Sequence, residues 1–195
     1  MIKLWKEALL NPKQTFKKEK KKADLGSAVK QVFIAGLIAG IITALVEFSS
    51  ESLITLVSSP IAAILGLLLG SGFYYLFARL FGGKGSYREQ TYLIAIYSAP
   101  LSIISSVVSS ILILSAVADS LFLLAPFLLV SLGLFVYSLY LLTLAFKEAH
   151  GLSTGKAILT WLIPLIIVFV IIVLALLAYV FIVGIYSALP DTALV

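Results

Sequence analysis

Apolar residues in this chain gather into five long runs, separated by short polar segments. The runs lie near 28–46, 60–81, 87–117, 121–146 and 157–186. None shows the alternation of a half-buried strand, and each offers the roughly 20 residues that a helix needs to cross a bilayer. The last three are longer than that, so they tilt, bend or project beyond the hydrocarbon. Pro100 and Pro164 fall inside the third and fifth runs and predict bends. Pro60 follows Ser59, which predicts a first-turn position in the second span. The expected fold is all-α: a polytopic integral membrane protein with five transmembrane helices over residues 27–195, preceded by polar and amphipathic helices over 1–26.

The segment before the first span divides in two. On a helical wheel Ile2, Leu4, Trp5, Ala8 and Leu9 share one arc, while Lys3, Lys6 and Glu7 take the other and Leu10 falls on the polar side. Such a helix lies in the headgroup layer with Trp5 as anchor, or it packs on the protein's own face; the pattern alone allows both. Asn11, Pro12 and Gln14 then read as cap, first helical residue and capping-box partner. The helix they open carries Lys13, Lys17, Lys18, Lys20, Lys21 and Lys22. Beside a membrane, such a cluster attracts anionic lipid by about 1 kcal/mol per lysine, and it also acts as a topology signal.

Composition agrees with the pattern. Hydrophobic residues make up 62% and the mean hydropathy is +1.16, against about 45–50% apolar for soluble domains. Charged residues are only 12%, yet the formal net charge is +5. The bases sit on one side of the expected spans. The N-terminal region up to Lys30 holds nine lysines; Arg79, Lys84 and Arg88 follow the second span; Lys147 and Lys156 follow the fourth. The opposite side has Glu47, Glu51, Asp119 and Asp191 and no base. The positive-inside rule therefore predicts a cytoplasmic N-terminus, an outer C-terminus, and a multi-pass protein of the plasma or inner membrane. There is no cysteine and one methionine; with lysine as the main base, this scarcity of thermolabile types suggests a thermophilic, archaeal-type source.

The turns carry familiar signals. Ser86 and Glu89 predict a capping box. Gly82 and Gly83 end the second span, with Arg79 at its dipole-negative end, and Gly151 ends the fourth after Lys147 and His150. Ser153 is placed to cap the fifth. Gly36 and Gly40, and again Gly66 and Gly70, form GxxxG pairs that predict close helix contacts. Ser98, Ser102, Ser105, Ser106 and Ser109 follow helical spacing in the third span, as packing residues or as the lining of a hydrophilic path.

Chemistry of other kinds is missing. No ionisable side chain lies mid-span, which argues against proton-coupled transport. The glycine-rich segments at Gly82–Ser86 and Gly151–Ala157 lack the spacing and the magnesium-binding hydroxyl of a phosphate-binding loop. His150 is the single histidine, too little for a metal site, and no nucleophile, base and orienting acid come together. No enzyme activity, cofactor or nucleic-acid partner is expected.

Several short motifs resemble the Yip domain family, named for interaction with Ypt/Rab GTPases. They are Asn11-Pro12-Lys13-Gln14-Thr15-Phe16, Phe81-Gly82-Gly83-Lys84-Gly85-Ser86-Tyr87, Tyr97-Ser98-Ala99-Pro100, and His150-Gly151-Leu152-Ser153-Thr154-Gly155-Lys156-Ala157. Their order between five spans is the specific feature. The chain resembles the compact prokaryotic branch, because a lysine-rich helix replaces the long acidic N-terminal region of eukaryotic members. The resemblance implies a five-span fold with a cytoplasmic N-terminus. The expected function is a non-enzymatic membrane scaffold or adaptor that binds anionic lipid headgroups or a protein partner, or a second copy of itself. The residues expected to carry it are Lys17, Lys18, Lys20, Lys21, Lys22, Lys84, Tyr87, Arg88, Tyr97, Pro100, Lys147, His150 and Lys156. The alternative is passive transport or lipid translocation through the serines of span three and Tyr74, Tyr75, Tyr137 and Tyr140.

Overall fold

A computed structural model of the protein describes residues 1–47, 52–118 and 121–188. Glu51, Asp119 and Asp191, expected on the outer side, lie outside the described residues. These comprise α1 (Ile2–Leu10), α2 (Pro12–Glu19), a 3-10 turn (Lys20–Lys22), α3 (Leu25–Glu47), α4 (Ser52–Leu80), α5 (Tyr87–Val117), α6 (Leu121–His150) and α7 (Thr154–Ala188), with no strand among them. Five of these, α3 to α7, are long and apolar enough to cross a membrane. At 1.5 Å per residue α7 is about 50 Å long, well beyond a hydrocarbon layer of about 30 Å.

Element order and type follow the hydrophobic pattern, but several boundaries shift. The α4 helix begins at Ser52, so Pro60 lies inside it and not in its first turn. Most of the expected 48–59 outer connection is therefore helical. A proline inside a span is tolerated where neighbours cover the freed backbone. Here Pro60 is buried, and α3 covers it through a glycine. A Cβ on Gly36 would stand 2.8 Å from the Pro60 Cα and 3.0 Å from the Ala63 Cβ. Gly36 and Gly40 thus make the predicted close contact. Gly66 and Gly70 do not: no neighbouring atom lies within 4 Å of a Cβ built at either. The α3 contact falls at Ser59, Pro60 and Ala63, and Gly66 instead borders an open apolar cavity of about 280 Å³ between α3, α4 and α5. The fourth and fifth spans likewise run further than expected at the basic end, to His150 and from Thr154.

The amphipathic α1 packs on the protein. Trp5 and Ala8 are buried, and Trp5 Nε1 donates to Gln31 Oε1 of α3 at 2.9 Å. The Tyr137 hydroxyl of α6 donates to the Leu9 carbonyl. Pro12 takes the first turn of α2 as expected, but Asn11 makes no side-chain cap. Its backbone, at φ −133° and ψ 55°, is not in the extended conformation of a capping residue; the Asn11 N–H closes α1 on the Glu7 carbonyl at 2.8 Å, and Thr15 Oγ1 donates to the same carbonyl at 3.1 Å. The α2 helix drives Phe16 into the bundle, where it is 0% exposed with its ring 6.0 Å from that of Tyr97. Burial of such a ring contributes about 1.5–3 kcal/mol.

The core lies at this end. Leu93 and Ile96 of α5 and Leu141 and Phe146 of α6 are fully buried in one core with Phe16. Towards the far end α7 leaves the bundle, and every residue from 165 to 183 is exposed. Those residues are branched or bulky apart from Ala175 and Ala178, so the helix lacks the small-residue stripe that spans use to pack closely.

Candidate functional site

The N-terminal helices, the α4–α5 hairpin and the α6–α7 hairpin meet at one end of the bundle. Each hairpin is shaped by a glycine in the left-handed region, Gly82 at φ 86° and Gly151 at φ 66°. The Gly83 N–H returns to the Ala78 carbonyl at 2.8 Å, and Arg79 Nη1 donates to the Gly83 carbonyl at 3.1 Å. The predicted capping box opens α5: Glu89 N–H to Ser86 Oγ at 3.2 Å and Ser86 N–H to Glu89 Oε2 at 2.8 Å. The α6 terminus is held by cations, as its dipole favours. Lys20 Nζ donates to the Ala149 carbonyl at 2.8 Å, and Lys147 Nζ to Thr154 Oγ1 at 2.7 Å. The Lys84 N–H donates to the His150 carbonyl at 3.1 Å, joining the two hairpins through the backbone.

Beneath this junction runs a buried polar chain. Thr91 Oγ1 donates to the Tyr87 carbonyl at 2.8 Å. Its one proton is thereby spent, so in the 2.7 Å contact with Ser71 Oγ the serine is the donor. Gln90 Nε2 donates to the Ser71 carbonyl at 2.7 Å and to Ser71 Oγ at 3.1 Å. That orients the Gln90 amide, and Oε1 is left to accept from His150 Nε2 at 2.7 Å. His150 therefore carries its proton on Nε2. Its Nδ1 is a bare acceptor, buried and without a partner among the described residues. Sequence reasoning found His150 but not Ser71, Gln90 or Thr91. The available signal was a Gln and a Thr one turn inside an apolar span, where unpaired polar groups are costly.

A cleft of about 370 Å³ opens above, lined by Lys20, Gly82, Lys84, Gly85, Glu89 and His150 among others. Lys156 reaches the same place, its Nζ 3.9 Å from where a Gly82 Cβ would stand. Lys84, Arg88 and Lys156 are exposed, as are Lys17, Lys18, Lys21 and Lys22. Lys22 also meets Glu19 at 3.5 Å, and Glu19, itself buried, accepts from the Tyr92 hydroxyl at 3.2 Å. Tyr87 is partly buried; its hydroxyl donates to the Leu68 carbonyl at 2.9 Å. Tyr97 and Pro100 lie inside the bundle, Tyr97 only 5% exposed, where they pack the core and do not reach the surface.

The span-three serines divide. Ser102 and Ser106 donate to carbonyls of their own helix, each at 2.8 Å. Ser105 and Ser109 line a second cavity, of about 240 Å³, with Ser131 and Ser138 of α6. The tyrosines do not join them. Tyr74 packs edge-on to Phe146, Tyr75 against Tyr87, and Tyr137 stacks on Tyr140.

No curated protein and no solved structure matches the chain. The family model of the Yip1 domain does, over residues 6–177. That stretch takes in most of α1, all of α2 and the basic junction, and it reaches into α7. With five apolar helices long enough to span a bilayer, the chain is a multi-pass membrane protein and belongs to the Yip1 domain family.

Proposed function

We propose that this Yip-family protein is a non-enzymatic membrane scaffold whose basic face binds anionic headgroups, with the N-terminus cytoplasmic, the C-terminus outside, and the chain set in the plasma or inner membrane. One observation carries the reading. The exposed Lys17, Lys18, Lys21 and Lys22 belong to a segment pinned to the bundle by buried Phe16 and Glu19, so the lysines form a fixed row and not a loose tail. Lys84 and Arg88 extend the same charge from the neighbouring hairpin. A fixed row loses less side-chain and backbone freedom when it meets a charged surface than a disordered tail does. An acidic protein surface is the competing ligand for this face.

The test is vesicle capture by the protein held in zwitterionic nanodiscs. Vesicles containing phosphatidylglycerol are captured in a salt-sensitive way, and phosphatidylcholine vesicles are not. Replacing Lys17, Lys18, Lys21 and Lys22 together by Gln abolishes the capture. Equal capture by the variant and the parent would overturn the reading.

The serine-lined cavity between α5 and α6 favours a second reading, passive passage of a solute or lipid headgroup. It requires flux of dye-labelled lipid in proteoliposomes that falls when Ser105 and Ser109 are replaced by Ala.

A further inference from the structure

We propose that the cleft between the two basic hairpins binds a phosphomonoester group, with Lys20, Lys84 and Lys156 around its charge and His150 as the acceptor beneath it. This rests on the scaffold reading above and gives that face a specific ligand class.

Three features point to this chemistry. Three ammonium groups gather at the cleft against one carboxylate, Glu89, which is already engaged by the Ser86 N–H. The Lys84 ammonium makes no hydrogen bond or ion pair among the described residues, so it is available to a ligand, and Lys20 uses one of its three donors on the Ala149 carbonyl. The third feature is His150. It is 2% exposed, its Nε2 proton is committed to Gln90, and its Nδ1 has no partner among the described residues. Nδ1 faces Gly83, standing 2.9 Å from where a Cβ of that residue would be, between the cleft residues Gly82 and Lys84. The Gly83 backbone covers it, with no side chain in the way, and that turn shifts for a ligand hydroxyl to reach Nδ1.

The combination of cations and a bare acceptor selects among anions. A phosphodiester offers negative oxygens but no proton, so it satisfies the lysines and leaves Nδ1 unpaired. A phosphomonoester has its second ionisation near about pH 6 and retains a P–OH in its monoanion. That hydroxyl donates to Nδ1 while the other oxygens accept from the lysines. If the proton passes fully to Nδ1, the ligand becomes the dianion and His150 the imidazolium, with charge conserved. The charged groups facing His150 are Lys20 from the N-terminal segment, Arg79 from α4 and Glu89 from α5. The phosphomonoester can belong to a lipid headgroup or to a free metabolite.

The single histidine makes the test direct. Protein labelled with ¹⁵N-histidine gives one imidazole, observed in zwitterionic nanodiscs near neutral pH. Two arms are compared: glycerol 3-phosphate added to the solution, and phosphatidic acid built into the disc. A response in the lipid arm alone identifies a headgroup site, and a response to glycerol 3-phosphate identifies a site open to soluble phosphomonoesters. In either case Nδ1 moves away from the bare-nitrogen shift, phosphatidylglycerol leaves it unmoved, and Lys84→Gln weakens the response about tenfold or more. An Nδ1 signal unchanged in both arms overturns the proposal, as does an equal response to phosphatidylglycerol. Capture of phosphatidylglycerol vesicles depends on Lys17, Lys18, Lys21 and Lys22. If capture persists while His150 is silent, the cleft proposal falls and the scaffold reading survives; the converse result separates them the other way.

Discussion

Gly85 and Ala149 touch so closely that a Cβ at position 85 would fall 2.0 Å from the Ala149 carbonyl oxygen. The contact joins the two hairpins at the point where Lys20 also reaches that carbonyl. Nothing larger than glycine fits unless the hairpins separate. Gly85→Ala is expected to destabilise the protein by about 1–3 kcal/mol, the range of overpacked positions. Gly66→Ala is the control. Its Cβ meets no neighbour, and alanine is the better helix former by up to about 1 kcal/mol. Unfolding in mild detergent, followed by circular dichroism, should separate the two variants in opposite directions.

The Gln90 amide bridges Ser71 and His150 across three helices. Gln90→Leu removes every bond it makes and leaves the His150 ring with neither nitrogen satisfied. Interhelical hydrogen bonds within membranes contribute about 0.6–2 kcal/mol, and a loss within that range is expected. Gln90→Glu keeps the acceptor towards His150 but replaces the N–H donors that Ser71 requires, so it should be no better tolerated. An unchanged midpoint for Gln90→Leu would mean that the chain contributes nothing to stability.

Trp5 anchors α1 through its ring burial and its bond to Gln31. Trp5→Ala should cost about 3–5 kcal/mol of local docking and open the Lys3 to Lys18 region to trypsin. Trp5→Phe keeps most of the apolar contact and should remain largely resistant. Equal trypsin sensitivity of parent and Trp5→Ala would place α1 in the headgroup layer after all.

The spans were legible because twenty apolar residues in a row have few other places to go. The Ser86–Glu89 box and the turn glycines Gly82 and Gly151 were legible because local backbone geometry demands those residue types at those positions. The docking of α1 was not, since an amphipathic face looks the same whether it meets lipid or protein. Pro60 misled because a proline after a serine is a common helix start; only the cover supplied by Gly36 from another helix allows it mid-span. The Ser71–Gln90–His150 chain joins residues up to 79 positions apart, and its geometry exists only once α4, α5 and α6 pack. Gly66 and Gly70 show the reverse: a correct packing motif on a face that another contact leaves open.

Asp24 caps α3, its Oδ2 accepting from the Ser27 N–H at 2.7 Å. That backbone bond, with the Ser27 side chain next, holds the carboxyl below its ordinary value of 3.8. The sign follows from linkage: the contribution is complete above the unfolded value and is lost as pH falls through the lower native one. The protection factor for hydrogen exchange at the start of α3, taken against the intrinsic rate at each pH, should therefore fall on acidification below about pH 4. Asp24→Asn keeps an acceptor without the titration and should flatten that dependence.

The chain contains no cysteine, so single cysteines report sidedness without background. In intact right-side-out cells, Lys18→Cys, Lys84→Cys and Lys156→Cys should resist a membrane-impermeant maleimide until the membrane is opened, whereas Ala118→Cys, at the opposite end of α5, should react at once. Labelling of positions 84 and 118 from the same side would contradict a bundle whose basic face, and the ligands proposed for it, belong to the cytoplasm.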